Sequence, residues 1–132
     1  MNRFVLMLED DGDDRYITQQ TLSELQIDIP IKFLSNSAEF FNFPSKSEKP
    51  VLILVDYNSV PENGLEVLKK LKASLEYSDI PVVILSDSEH PRYKNECYKH
   101  GACSFIKKPN SIEGTNKKIA AFFNYWFDVV EV

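Results

Sequence analysis

Val51-Leu-Ile-Leu-Val-Asp56 is a run of five apolar residues closed by a single acid. A run this short and this uniformly apolar suits a strand buried on both faces, as in a parallel sheet covered by helices on either side. Working outward, Arg3–Leu8 reads as another strand. It runs straight into Glu9-Asp10-Asp11-Gly12-Asp13-Asp14, where five of six residues are acidic. Pro81-Val-Val-Ile-Leu85 is a further buried run, Cys103–Ile106 a shorter one, and Pro30–Ser35 alternates in strand fashion. Helical spacing fills the intervals. Ile17, Thr21, Leu22 and Leu25 form one face after a cap at Asp13 or Asp14. Ser37 caps a short helix through Phe43, stopped near Pro44, and Ser45–Pro50 is a polar loop. Leu65, Leu68 and Leu71 follow Gly64. Asp87 or Ser88 caps a helix with Pro91 in its first turn and Gly101 just past its end. Ile119, Phe122, Phe123, Trp126 and Val130 share one face of the last helix. Strands and helices alternating at this period imply an α/β fold. Five strands suggest the flavodoxin-like order 2-1-3-4-5 with helices on both faces.

The chain has 132 residues and 43% hydrophobic content, so one domain over residues 1–132 is expected. A net charge of −5 argues against a general phosphate-backbone binder, so no nucleic-acid partner is expected. No stretch approaches the ~20 apolar residues of a membrane span. The opening apolar run is too short for a signal peptide, which makes a cytoplasmic location the expectation. Cys97 and Cys103 form no CxxC and no zinc spacing, and read as small buried or half-buried thiols. Four glycines in the whole chain leave no glycine-rich nucleotide cradle, and neither a P-loop nor a GxGxxG is present. His90 and His100 read as surface residues of a polar helix.

Chemistry gathers where the runs end. In a parallel α/β sheet the carboxyl ends of the strands share one edge, and ligands bind in the crevice there. Glu9 and Asp10 are adjacent oxygen donors suited to a hard cation such as magnesium, which takes one or two carboxylates and keeps several waters. Asp56 is a lone acid ending an apolar strand, a costly position for an unpaired charge. Its carboxylate suits a metal ligand, a nucleophile that yields an acyl phosphate, or both. Lys108 precedes Pro109 and is held extended, so its ammonium can be aimed at a phosphoryl oxygen or an ionised Asp. Neighbouring Lys107 points to the other face. The Ser86 hydroxyl can donate to a phosphoryl oxygen or cap a helix. Each residue also has a plainer reading: capping acids, a turn-starting Asp, a solvated Lys.

Taken together, Leu8-Glu9-Asp10-Asp11, Leu54-Val55-Asp56-Tyr57-Asn58, Gly64, Ile84-Leu85-Ser86, and Gly101-Ala102 with Phe105-Ile-Lys-Lys108-Pro109 closely resemble a response-regulator receiver domain of two-component signalling. The resemblance covers essentially the whole chain. It implies that Asp56 accepts a phosphoryl group from a sensor histidine kinase or phosphotransfer protein. Asp10 would bind Mg2+ directly, Glu9 through water, and the Asn58 backbone carbonyl would complete the shell with Asp56. Lys108 would contact the phosphoryl group. Ser86 would be the switch hydroxyl and Phe105 the aromatic that turns inward. Such a chain is a phosphoacceptor that assists its own phosphorylation and dephosphorylation, not an enzyme with turnover. No output domain is expected, so the signal would pass by protein binding.

Phe122-Phe-Asn-Tyr-Trp-Phe-Asp-Val-Val130 is similar to the end of single-domain regulators partnered with phytochrome-type kinases. Its exposed aromatics predict a homodimer or kinase-docking surface through the last helix and the tail to Val132. Three features depart from the family pattern. Pro61 lies five residues after Asp56 rather than four, Asp87 stands where a small residue is common, and Phe105 lacks the hydroxyl of the frequent tyrosine. They keep open a degenerate receiver that binds partners without being phosphorylated. A metal-dependent phosphoryl-bond hydrolase would use the same acids, but its usual DxD pair is broken here by Asn58.

Overall fold

Three strands in this chain are too apolar to face water on either side, and burying them sets the architecture. The computed structural model describes residues 4–24, 26, 28–41, 49–59, 61–87, 90–108 and 112–126. Among these, β1 (Val5–Leu8), β2 (Ile31–Leu34), β3 (Leu52–Asp56), β4 (Val82–Ser86) and β5 (Ser104–Lys107) form one sheet, all neighbours parallel, in the order β2-β1-β3-β4-β5. The helices are α1 (Gly12–Glu24), α2 (Ala38–Phe41), α3 (Gly64–Ala73), α4 (Pro91–Lys99) and α5 (Ile112–Asn124). This is the flavodoxin-like arrangement read from the sequence. Each strand begins or ends within two residues of its expected bounds.

Successive residues of a strand point to opposite faces, so each continuous apolar run feeds two cores. Leu6, Leu8, Ile53, Val55, Val82 and Ile84 pack with Val67, Leu68 and Leu71 of α3 and Cys97 of α4. Val5, Met7, Leu52, Leu54 and Val83 pack with Leu22 of α1 and with Phe123 and Trp126 of the α5 end. The polar faces of α1 and α3 stay outside. Among the described residues no helix is long and apolar enough to cross a membrane.

Local chemistry sets the helix ends, at residues partly different from those expected. Asp11, not Asp13 or Asp14, caps α1: its Oδ1 accepts from the Asp13 and Asp14 N–H groups at 2.8 and 3.2 Å. Asn36, not Ser37, accepts from the N–H of Glu39 in α2, and the Ser37 hydroxyl donates to Glu62 instead. His90 caps α4, its Nδ1 accepting from the Arg92 N–H, while Asp87 lies exposed before the turn. Ser88, Leu25, Phe43, Phe127 and Val130 lie outside the described residues, as does most of the Ser45–Pro50 loop. Asn63 and Glu66 form a capping box at the start of α3. Gly101, at φ +102°, ends the α4 connection in a conformation that other residues rarely adopt. Of the two thiols, Cys97 is fully buried and Cys103 is exposed where β5 begins, so only the first lies where both were expected. His90 and His100 flank α4 at its two ends.

One contact ties this framework to the strand ends. Gly64 donates its N–H to the Tyr57 carbonyl at 2.8 Å, drawing the start of α3 against the residue after Asp56. A Cβ at position 64 would stand 2.6 Å from the Tyr57 Cα. Gly64→Ala is therefore expected to destabilise the fold by about 1–3 kcal/mol, through overpacking against backbone. Urea unfolding would measure it, and an unchanged midpoint would show that α3 can retreat freely.

Candidate functional site

The parallel register brings three chemistries to one edge. Leu8 pairs with Val55, so Glu9 and Asp56 leave adjacent strands side by side. Lys107 pairs with Ser86, so Lys108 leaves the next strand but one beyond β3. The Lys108 N–H donates to the Ser86 carbonyl at 2.7 Å, which extends the β4–β5 ladder by one bond and fixes where the side chain starts.

From there the Lys108 ammonium crosses the edge. Its Nζ lies 2.9 Å from Glu9 Oε1, 3.2 Å from Asp56 Oδ2 and 3.4 Å from Asp14 Oδ2. An ammonium has three donors and here meets three carboxylates. The Glu9 side chain is 1% exposed and that of Asp56 10%. The other Asp56 oxygen, Oδ1, accepts from the Asn58 N–H at 2.9 Å, so both of its oxygens are held. The Asn58 side chain reaches the other way, its Oδ1 accepting from the Asp87 N–H at 3.3 Å. Asn58 thus links the loop after β3 to the loop after β4.

Charge does not balance here. Three carboxylates around one ammonium would leave two negative charges in excess, in a partly buried crevice. Burial pushes the Glu9 carboxyl up to about 8, against the pull of Lys108, with Asp56 and Asp14 adding to the rise. For Lys108, burial favours the neutral amine, but Asp56, Glu9 and Asp14 outweigh it and hold the pKa above its ordinary value. The upward direction for Glu9 follows first from burial, and then from sharing the Lys108 ammonium with two other acids.

Asp10, by contrast, is exposed on the loop after β1. Among the described residues no three His, Cys, Asp or Glu side chains stand together as a ready metal cage. The donors near the crevice mouth, from Glu9, Asp10, Asp56 and the Asn58 backbone, are all oxygens. They fit a hard divalent ion that keeps several waters, and not a metal wrapped by protein. Ser86 is fully buried at the end of β4. Phe105 is half-buried on β5, its ring edge-on to Tyr57 at 6.4 Å, and Tyr57 stacks under Tyr93 of α4 at 5.0 Å. The Phe105 N–H donates to the Tyr98 hydroxyl at 3.1 Å.

Sequence reasoning missed two members of the site. Asp14 reads as a helix cap within an acidic run, yet its side chain goes to Lys108. Arg15 donates from Nε to the Glu9 carbonyl and from its terminal nitrogen to Ser35 Oγ, with the guanidinium over the Phe33 ring. It clamps the loop after β1 to β2. A basic residue following an acidic run was the only available signal. Toward the end of the described residues, Phe123 and Trp126 are buried, Phe122 is half-buried and Tyr125 is exposed, so among the described aromatics of this stretch Tyr125 faces solvent.

The family model of the response regulator receiver domain matches residues 5–120. Response regulator Rcp1 of Synechocystis sp. is 25% identical, over 97% of this chain and 91% of that protein. Among solved structures, the phosphorylated cyanobacterial phytochrome response regulator RcpA matches with a TM-score of 0.90 at 20% identity, covering 99% of this chain and 98% of that one. The Mn2+-bound form of Rcp1 matches with a TM-score of 0.88 at 24% identity, over 98% of each chain. At these identities the two structures speak for the fold alone.

The charge excess has a measurable consequence in metal-free protein. A carboxyl with a raised folded-state pKa binds its proton more tightly folded than unfolded, so stability falls as pH climbs from 4.5 to about 8. Lys108 is protonated in both states across this window and adds no slope. Glu9 alone would contribute at most about 1.4 kcal/mol per pH unit. Glu9→Gln should flatten the profile measured by denaturant unfolding. A wild-type profile with no greater slope than the variant would contradict a buried, proton-holding Glu9.

Proposed function

The chain belongs to the response regulator receiver domain family, and from that membership we propose that Asp56 accepts a phosphoryl group from a phosphohistidine on a sensor kinase or phosphotransfer protein. Receiver domains are phosphoacceptors, not turnover enzymes, and they bind a divalent metal. The observation that carries the reading for this chain is the clamped Asp56 carboxylate, with Lys108 Nζ at 3.2 Å and the Asn58 N–H at 2.9 Å on its two oxygens.

An Asp56 oxygen forms the new bond to phosphorus as the phosphorus–nitrogen bond of the phosphohistidine breaks, and the electron pair returns to the imidazole. The product is an acyl phosphate. Catalysis of such a transfer is mostly positioning and neutralisation of oxygen charge. Asn58 and Lys108 orient the carboxylate, and the ammonium meets the charge on the phosphoryl oxygens. Asp10, Asp56, Glu9 and the Asn58 carbonyl would hold a magnesium ion, which would supply the rest of that neutralisation.

Once Asp56 is modified, a hydrogen bond from Ser86 to the phosphoryl group would draw in the loop after β4. Phe105 would turn into the space beside Tyr57, giving a two-state element biased by one modification. The described regulators RcpA and Rcp1 favour a phytochrome-type kinase as the donor. The signal leaves by protein binding, with a homodimer through the last helix built on the exposed Tyr125.

Intact-mass analysis with acetyl phosphate and magnesium tests the acceptor. Wild type should gain ~80 Da, the mass of one phosphoryl group on a carboxylate, Asp56→Asn should gain nothing, and Asp10→Ala should gain it far more slowly. A gain in Asp56→Asn equal to wild type refutes the assignment, and no gain in any form favours a phosphorylation-independent interaction module. Sedimentation of phosphorylated wild type against Tyr125→Ser tests the dimer, which a monomer at high micromolar concentration would rule out.

A further inference from the structure

Of the three carboxylates on the Lys108 ammonium, the phosphoacceptor reading uses two. The third, Asp14, comes from the first turn of α1. Its backbone is fixed twice, by donation to Asp11 Oδ1 at 3.2 Å and by a carbonyl that accepts from the Thr18 hydroxyl at 2.9 Å. The helix start therefore aims this carboxylate at the strand ends, where Oδ2 stands 3.4 Å from Lys108 Nζ.

Lys108 has three N–H donors, and Glu9, Asp56 and Asp14 are within reach of all three. A phosphoryl oxygen arriving at Asp56 needs one of them, so one carboxylate has to yield. Glu9 is buried and lies closest to the nitrogen. Asp56 is the acceptor itself. Asp14 makes the longest contact, and its side chain is 36% exposed, the most of the three.

We propose that Asp14 is a positioning residue that holds Lys108 back from the incoming phosphoryl group and so slows transfer to Asp56. The proposal rests on the phosphoacceptor reading above. Two effects work in the same direction. Asp14 occupies a donor that the phosphoryl oxygen requires, and its negative charge stands where an anionic donor approaches. Neutralising it removes both.

The test follows phosphorylation of Asp56 by acetyl phosphate and magnesium, read by intact mass over time. Asp14→Asn and Asp14→Ser should each accelerate it by about three-fold or more, the scale of one nearby charge at a partly exposed site. Asp14→Glu, which keeps the charge, should remain near wild type. In a Lys108→Ala background the Asp14→Asn gain should shrink to less than half on a logarithmic scale. An unchanged or slower rate in folded neutral variants overturns the proposal. So does an equal gain without Lys108, because Asp14 would then act only through its field on the donor. The nitrogen shift of the Lys108 ammonium, recorded without donor or metal, should move in Asp14→Asn, and a fixed shift also overturns it. If the wild type takes up no phosphoryl group, the phosphoacceptor reading fails, while the Lys108 signal still decides whether Asp14 holds the ammonium.

Discussion

An ammonium shared among buried and half-buried carboxylates is the constraint around which this molecule is arranged. Acidic side chains from the end of β1, from β3 and from α1 would repel one another without Lys108. Lys108 would be expensive to bury without them. Neither half is tenable alone, and the two halves lie far apart in the chain. Only the parallel sheet brings them together, because all of its strands deliver their carboxyl ends to one edge. The continuous apolar runs of β1, β3 and β4 hold that sheet between its two helical layers, so the charged edge depends on the core from which it emerges.

The edge is also built to stay in tension. Both Asp56 oxygens are occupied, and Glu9 is driven toward its protonated form. Asn58 ties the loop after β3 to the loop after β4, and Arg15 ties the loop after β1 to β2. A new anion or cation in this crevice has to displace a contact already made, on groups tied to several loops. That is the kind of site from which a local charge event can be felt on a distant helix.

Much of this was legible in the sequence, and for identifiable reasons. Val51–Val55 and Pro81–Leu85 are uniformly apolar, which forces burial on both faces and with it the parallel order. Glu9, Asp56 and Lys108 stand out because each closes such a run. Helix caps were less legible. Asp11, Asp13 and Asp14 are all competent caps, and composition cannot say which acid turns back onto the helix and which reaches across the edge. His90 took the α4 cap because Pro91 begins that helix directly, leaving Asp87 and Ser88 too early. Asp14 and Arg15 escaped notice for a common reason. Their partners, Lys108 and the carbonyl of Glu9, are set by three-dimensional approach, and a basic residue after an acidic run does not say which carbonyl it will meet.

The two thiols offer a practical corollary. Cys97 is sealed in the core against α3, and burial, with some help from Glu96, pushes its thiol up to about 11. It should ignore alkylating reagents at neutral pH, since the thiolate is the reactive form. Cys103 is exposed where β5 begins, its N–H bonded to the Val82 carbonyl at 2.8 Å. That is the end of the sheet opposite the acidic edge. The native chain therefore carries one addressable cysteine, at the start of the strand that leads to Lys108 but at a remove from the chemistry. A fluorophore or spin label there could follow β5 without any engineered cysteine.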